Sequence, residues 1–137
     1  MNFSKFNVHA VPLFFSTNIL PLPLIYFKNC YILMHDVSNK VVPSNISALF
    51  TPTKDVHHYN TRSSTAGNFY INYSRLNHHK NSFSSIGAKI WNCIPDALRK
   101  LPKFRFKKKI TESLFQIFLN QDSYPDIDTL MNEMKKI

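Results

Sequence analysis

The sequence predicts a mainly α fold: a small helical domain with a long irregular loop and at most one short hairpin or strand. Three observations predict it. Only two glycines, Gly67 and Gly87, occur in 137 residues, too few for folds that depend on tight turns or phosphate-cradling loops. Hydrophobic residues make up 44% of the chain, enough to form a core at this length. Apolar residues also recur at three- and four-residue spacing between prolines, which is how amphipathic helices with marked starts are written.

Taken in order, residues 1–18 read as an irregular apolar lead, 19–120 as the helical body and 121–137 as a polar C-terminal helix or tail. Pro12, Pro21 and Pro23, with Ser16, Thr17 and Asn18, interrupt the apolar stretch over 10–27. It therefore falls short of the roughly 20 apolar residues of a membrane span, and no secretion signal is expected. The chain is expected to be intracellular, cytoplasmic or nuclear, and not secreted. From Pro21 a helix is predicted, with Leu24, Phe27, Tyr31 and Met34 on its apolar stripe and Leu20, Ile25 and Cys30 widening it. It should fade near Ser38 and Asn39. Val41 to Pro43 form an extended turn, and Ser44 or Asn45 starts a short helical turn ending at Leu49 or Phe50.

Residues 51–68 read as loop. Phe69, Ile71 and Tyr73 alternate with polar neighbours, a weak strand signal, and 77–81 are polar again. Ser82 is the expected N-cap of a helix carrying Phe83, Ile86, Ile90 and Trp91. Gly87 inside that helix costs about 1 kcal/mol relative to alanine, so a close neighbouring backbone or the Trp91 ring is expected against it. Pro95 should open a second short helix with Ile94, Leu98 and Leu101 on one face. The clearest helix runs from Phe104 to Leu119, burying Phe106, Ile110, Leu114, Ile117 and Phe118. A last helix is expected from Asp126 to Lys136.

Charge carries the strongest functional hint. The chain is +9. Eleven basic residues and one acid, Asp96, lie between Val56 and Thr111, so the whole excess sits there. Seven of the basic residues fall in the eleven positions 99–109: Arg99, Lys100, Lys103, Arg105, Lys107, Lys108 and Lys109. With Arg62 they are the candidate nucleic-acid-binding residues, since clustered cations bind phosphates without reading sequence. Phe104 and Phe106 are interleaved with them. Aromatic side chains so placed can add stacking on single strands, and periodicity assigns Phe106 to the core. The partner expected is the RNA or DNA backbone. An acidic protein or anionic membrane face is a rival, although no membrane partner is expected from the apolar stretches.

Other chemistry finds little to stand on. The acids are scattered, and no paired carboxylates, G-x-S-x-G, HExxH or CxxC occur. No catalytic residue, metal ligand, cofactor or small-molecule substrate is expected. His9, His35, His57, His58, His78 and His79 are read as exposed loop histidines. Cys30 and Cys93 are read as buried, reduced thiols.

Several segments together resemble a known family. Tyr59-Asn60-Thr61-Arg62 forms a "YNTR" loop. Gly87, Trp91, Asn92 and Pro95 form a "G-x-x-x-W-N-x-x-P" helix break, and Phe104 to Ile110 an aromatic-lysine helix. The exit Pro43, Ile46, Leu49 and Phe50 precedes them in that order. Over about residues 9–118 this resembles the region after the polymerase domain in jockey-like non-LTR retrotransposon reverse transcriptases. The resemblance implies a non-catalytic C-terminal fragment of an RNA-directed DNA polymerase. It also implies a structural role for Tyr59, Asn60, Thr61, Arg62, Gly87, Trp91, Asn92, Pro95 and Phe106. The family's catalytic aspartate pair is not in this chain, so polymerase activity is not expected of it. The missing polymerase domain would be a partner within the parent protein. A stand-alone basic interaction module and a functionless genomic relic remain alternative readings.

Overall fold

The structure, a computed structural model, describes residues 10–56, 59, 61–62, 66–73, 75–80, 82–120 and 125–137. It is mainly helical. Helix α1 spans Ala10–Thr17, α2 Leu22–Ser38, α3 Ser44–Ser47, α4 Thr53–Val56 and α5 Asn77–Lys80. Helix α6 spans Phe83–Cys93, α7 Asp96–Arg99, α8 Lys103–Leu119 and α9 Ile127–Met134. Among the described residues the only β pairing is one antiparallel bridge between Pro52 and Phe69.

Proline sets the helix starts. Pro21, Pro43, Pro95 and Pro102 are the N-caps of α2, α3, α7 and α8, each extended with ψ between 145° and 153°. Pro95 thus precedes its helix instead of opening it. A proline there sacrifices no helical hydrogen bond, because the first amides have no partner within the helix. Asn18 and Lys40, at φ 54° and 57°, follow α1 and α2 and turn the chain out of each helix in left-handed geometry.

Helix α2 packs against both α6 and α8, and α9 closes over α6 and α8. The three long helices meet through the faces their periodicity marks. Helix α8 buries Phe106, Ile110, Leu114, Ile117 and Phe118, the stripe expected. Helix α2 buries Leu24, Cys30, Tyr31, Met34, His35 and Val37, leaving Ile25 and Phe27 at the margin. Asp126 caps α9, its carboxylate accepting from the Thr129 amide at 3.0 Å. A hydrogen bond from the Thr129 side chain, reinforced by that amide bond, holds the Asp126 carboxyl below its ordinary range.

Several expectations need correction. Residues 10–17 are helical, not irregular: Pro12 lies in the first turn of α1, where no amide donor is needed. Residues 1–9, with His9, lie outside the described residues. The loop over 51–68 contains α4, and the polar stretch over 77–81 contains α5. The strand over 69–73 reduces to its first residue. Thr53 and Tyr70 amides donate to Asn68 and Thr51 carbonyls at 2.9 and 2.8 Å, and the pairing goes no further among the described residues. The atoms nearest a Cβ at Gly87 belong to neither a backbone nor Trp91. A Cβ there would lie 2.8 Å from Met34 Sδ and 3.0 Å from Phe50 Cε1, so the glycine lets α2 and Phe50 close onto α6. His35 is not an exposed loop residue: it is buried on α2. Of the two thiols, Cys30 is buried and Cys93 only half-buried.

Candidate nucleic-acid interface

Two neighbouring sets of residues emerge from the basic middle of the chain. The first is an internal junction. Asn92, near the end of α6, reads both backbone groups of Phe69: the Phe69 amide donates to Asn92 Oδ1 at 3.0 Å, and Asn92 Nδ2 donates to the Phe69 carbonyl at 2.8 Å. One side-chain amide thereby does for Phe69 what a neighbouring strand would do. Trp91 Nε1 donates to the Gly67 carbonyl at 3.3 Å.

Arg99 completes the junction. Its Nε donates to the Ile94 carbonyl at 2.9 Å, and Nη2 to the Trp91 carbonyl at 3.0 Å. Nη1 donates to the Ala66 carbonyl at 2.7 Å and to Asn68 Oδ1 at 2.8 Å. The guanidinium also lies 5.4 Å from the centre of the Trp91 ring, a cation–π contact. Burial pulls its pKa below the ordinary value, and Asp96, 3.6 Å away, opposes that shift. The Arg99 side chain is only 10% exposed. Four of its five donors are committed inside the protein, which withdraws it from the expected phosphate-binding set. The helix break of the sequence, Gly87, Trp91, Asn92 and Pro95, is thus a packing and hydrogen-bonding device. Arg62 is exposed and helical in the segment leading into this junction, and its carbonyl accepts from the Ala66 amide at 3.1 Å. Tyr59 is exposed and Thr61 half-buried. Asn60, with His57 and His58, lies outside the described residues.

The second set is Lys100, in the link between α7 and α8, with the N-terminal part of α8. Lys100, Lys103, Arg105, Lys107, Lys108 and Lys109 are all exposed. Lys103 Nζ donates to Asp36 Oδ2 at 2.7 Å, tying the start of α8 to the end of α2. Lys109 lies 4.0 Å from Glu112, a solvent-exposed pair worth little in water. The aromatic residues divide: Phe106 is 0% exposed, stacked on His35 with ring centres 4.5 Å apart, while Phe104 is 80% exposed. Phe104, Lys107, Lys108, Thr111 and Glu112 line a shallow depression of about 330 Å³.

His35 holds this end of α8 in place. Its Nε2 donates to the Leu101 carbonyl at 2.9 Å, and Nδ1 accepts from Asn39 Nδ2 at 3.2 Å. Sequence reasoning missed it, although its spacing of four from Tyr31 places it on the same apolar stripe.

Among the described residues no group of three His, Cys, Asp or Glu could hold a metal ion, and no helix is long and apolar enough to cross a membrane. No family model, curated protein or solved structure matches the chain.

Proposed function

We propose that this chain is a non-catalytic C-terminal segment of a retrotransposon RNA-directed DNA polymerase that contacts nucleic acid through phosphates, without reading sequence. One observation carries the nucleic-acid part: an exposed cluster of like charge at the wrong end of a helix. The first turn of α8 contains Lys103 and Arg105 and no acid. A helix N-terminus already carries partial positive charge, so cations there oppose folding by about 0.3–1 kcal/mol each. Pro102 offers no side-chain cap to the free amides. A polyanion would relieve both defects, supplying acceptors to the amides and counter-charge to the side chains. Local rules of stability are broken most often where a site has another task.

The retrotransposon part rests on the ordered motifs of the sequence. The YNTR loop, the helix break and the aromatic-lysine helix occur in one order over about residues 9–118. A stand-alone interaction module is the second reading. It is favoured by a core that the described residues largely close by themselves, with Trp91, Tyr31, Phe106 and Phe118 fully buried.

The test is binding to a short RNA–DNA hybrid across a salt series, beside a variant with Lys100, Arg105, Lys107 and Lys108 changed to glutamine. Affinity should fall steeply with salt. The slope should flatten in the variant by roughly 0.7–0.9 for each phosphate that is no longer neutralised. Absence of binding by a chain shown to be folded would sink the proposal.

A further inference from the structure

The exposed ring of Phe104 is left unexplained by phosphate contact alone. Phe104 and Phe106 lie two residues apart on one helix, yet only Phe106 enters the core. The backbone that carries Phe104 is anchored: it sits in the first turn of α8, which Phe106 holds beneath and the Lys103–Asp36 pair holds beside it. Lys107 and Lys108 follow at three and four residues, so they flank the ring one turn further on. Thr111 and Glu112 close the depression. The result is a flat apolar floor with ammonium groups at its rim.

We propose that Phe104 is a stacking platform for an unpaired nucleobase, so that this patch prefers single-stranded nucleic acid to duplex. The inference rests on the nucleic-acid reading above and adds the class of strand. A duplex keeps its bases stacked on one another and offers the ring only sugar and phosphate. An unpaired base offers a π-face to Phe104, while its flanking phosphates meet Lys107 and Lys108. Glu112 repels phosphate on its own side of the depression, which directs the backbone toward the two lysines. An acidic peptide would satisfy the lysines and leave the ring in water.

The experiment measures anisotropy of a short labelled oligothymidylate, the same strand made abasic, and a matched duplex. Each is titrated with the wild-type chain, Phe104→Ala and Phe104→Trp, with polyglutamate as competitor. The wild-type chain should bind the base-bearing strand roughly five- to a hundredfold more tightly than the abasic one. Phe104→Ala should erase that ratio and keep the salt slope, and Phe104→Trp should restore the ratio. Because the side chain is exposed, neither change threatens folding. Equal affinity for base-bearing and abasic strands overturns the stacking inference and leaves the phosphate contact standing. So does a ratio that survives Phe104→Ala. Polyglutamate competing as well as the strand, or no binding at all, overturns both and redirects the patch to a protein partner.

Discussion

The junction around Arg99 and the start of α8 draw on one basic stretch of sequence and use it in opposite ways. At the junction, charge is turned inward. The Arg99 guanidinium holds four acceptors from Ala66, Asn68, Trp91 and Ile94 and covers the Trp91 ring. At the start of α8 and just before it, Lys100, Arg105, Lys107 and Lys108 point into solvent. The same division separates Phe106 from Phe104. Positive charge is therefore placed in two ways here, and composition cannot distinguish them. What distinguishes them is whether carbonyls converge on the cation. A planar fork can satisfy several at once, and an ammonium group on a flexible stem cannot do so with the same geometry.

The strongest way to break this comparison is through the paired phenylalanines. Phe106→Ala should cost about 3–5 kcal/mol, a large part of the stability of a typical domain. Phe104→Ala should stay within about 0.5 kcal/mol. Urea denaturation of both variants checks this. Should Phe106→Ala fail to fold, Phe106→Leu, a milder truncation that still leaves a cavity, keeps the contrast measurable. Comparable losses at the two positions would mean that the core is not divided as described.

The paired cations give the next effect. Arg99→Lys keeps the charge but loses the fork, leaving partly buried carbonyls without donors. It should cost about 2–3 kcal/mol, whereas Lys108→Gln should be nearly neutral to stability and act on binding alone. A freely tolerated Arg99→Lys would return Arg99 to the solvent-facing set. Gly87→Ala is smaller. The helix gains about 1 kcal/mol in propensity, but the new methyl meets Met34 Sδ at 2.8 Å and the Phe50 ring at 3.0 Å. Met34 is fully buried and has little room to retreat. Overpacking of about 1–3 kcal/mol should therefore win, lowering the melting temperature modestly. A stabilised Gly87→Ala would show that Met34 repacks.

Much of the fold was legible because the long helices carry enough turns to declare a period. In α8 the apolar residues from Phe106 to Phe118 form the buried stripe, and Pro102 marks the start. Helices α4 and α5 were not legible: four residues make one turn, too short for periodicity to register. Alternation at Phe69, Ile71 and Tyr73 suggested a strand. What it could not disclose was that the side chain of Asn92, 23 residues onward, satisfies the Phe69 backbone. The candidate site was legible as a charge cluster and not as a shape. Sequence placed Arg99 and Lys108 in one group because both are cations. It placed Phe106 in the core correctly because helical period, unlike charge, encodes direction.

The smallest expected effect concerns the interior polar groups. Arg99, Asn92 and His35 are each matched with partners, but the Tyr31 hydroxyl is buried and has none among the described residues. Burial pushes its phenol well above the ordinary 10.0, and burial also raises Cys30 and Cys93 above 9.0. An acid whose folded pKa is raised keeps its proton in the native state after the unfolded chain has lost it. Above pH 9 the unfolded state therefore binds fewer protons, and stability falls as pH rises. Tyr31→Phe removes the phenol from that balance. Stability at pH 7 should hold or rise by up to about 1 kcal/mol, since an unpaired buried hydroxyl costs desolvation and returns nothing. The decline above pH 10 should become shallower, while the part that begins near pH 9, owed to the thiols, should remain. Thermal melts of both proteins at pH 7, 9 and 11 separate these outcomes. A clear loss at pH 7 would mean that the hydroxyl is satisfied after all. The interior side of the comparison would then contain no buried side-chain polar group left unmatched among the described residues.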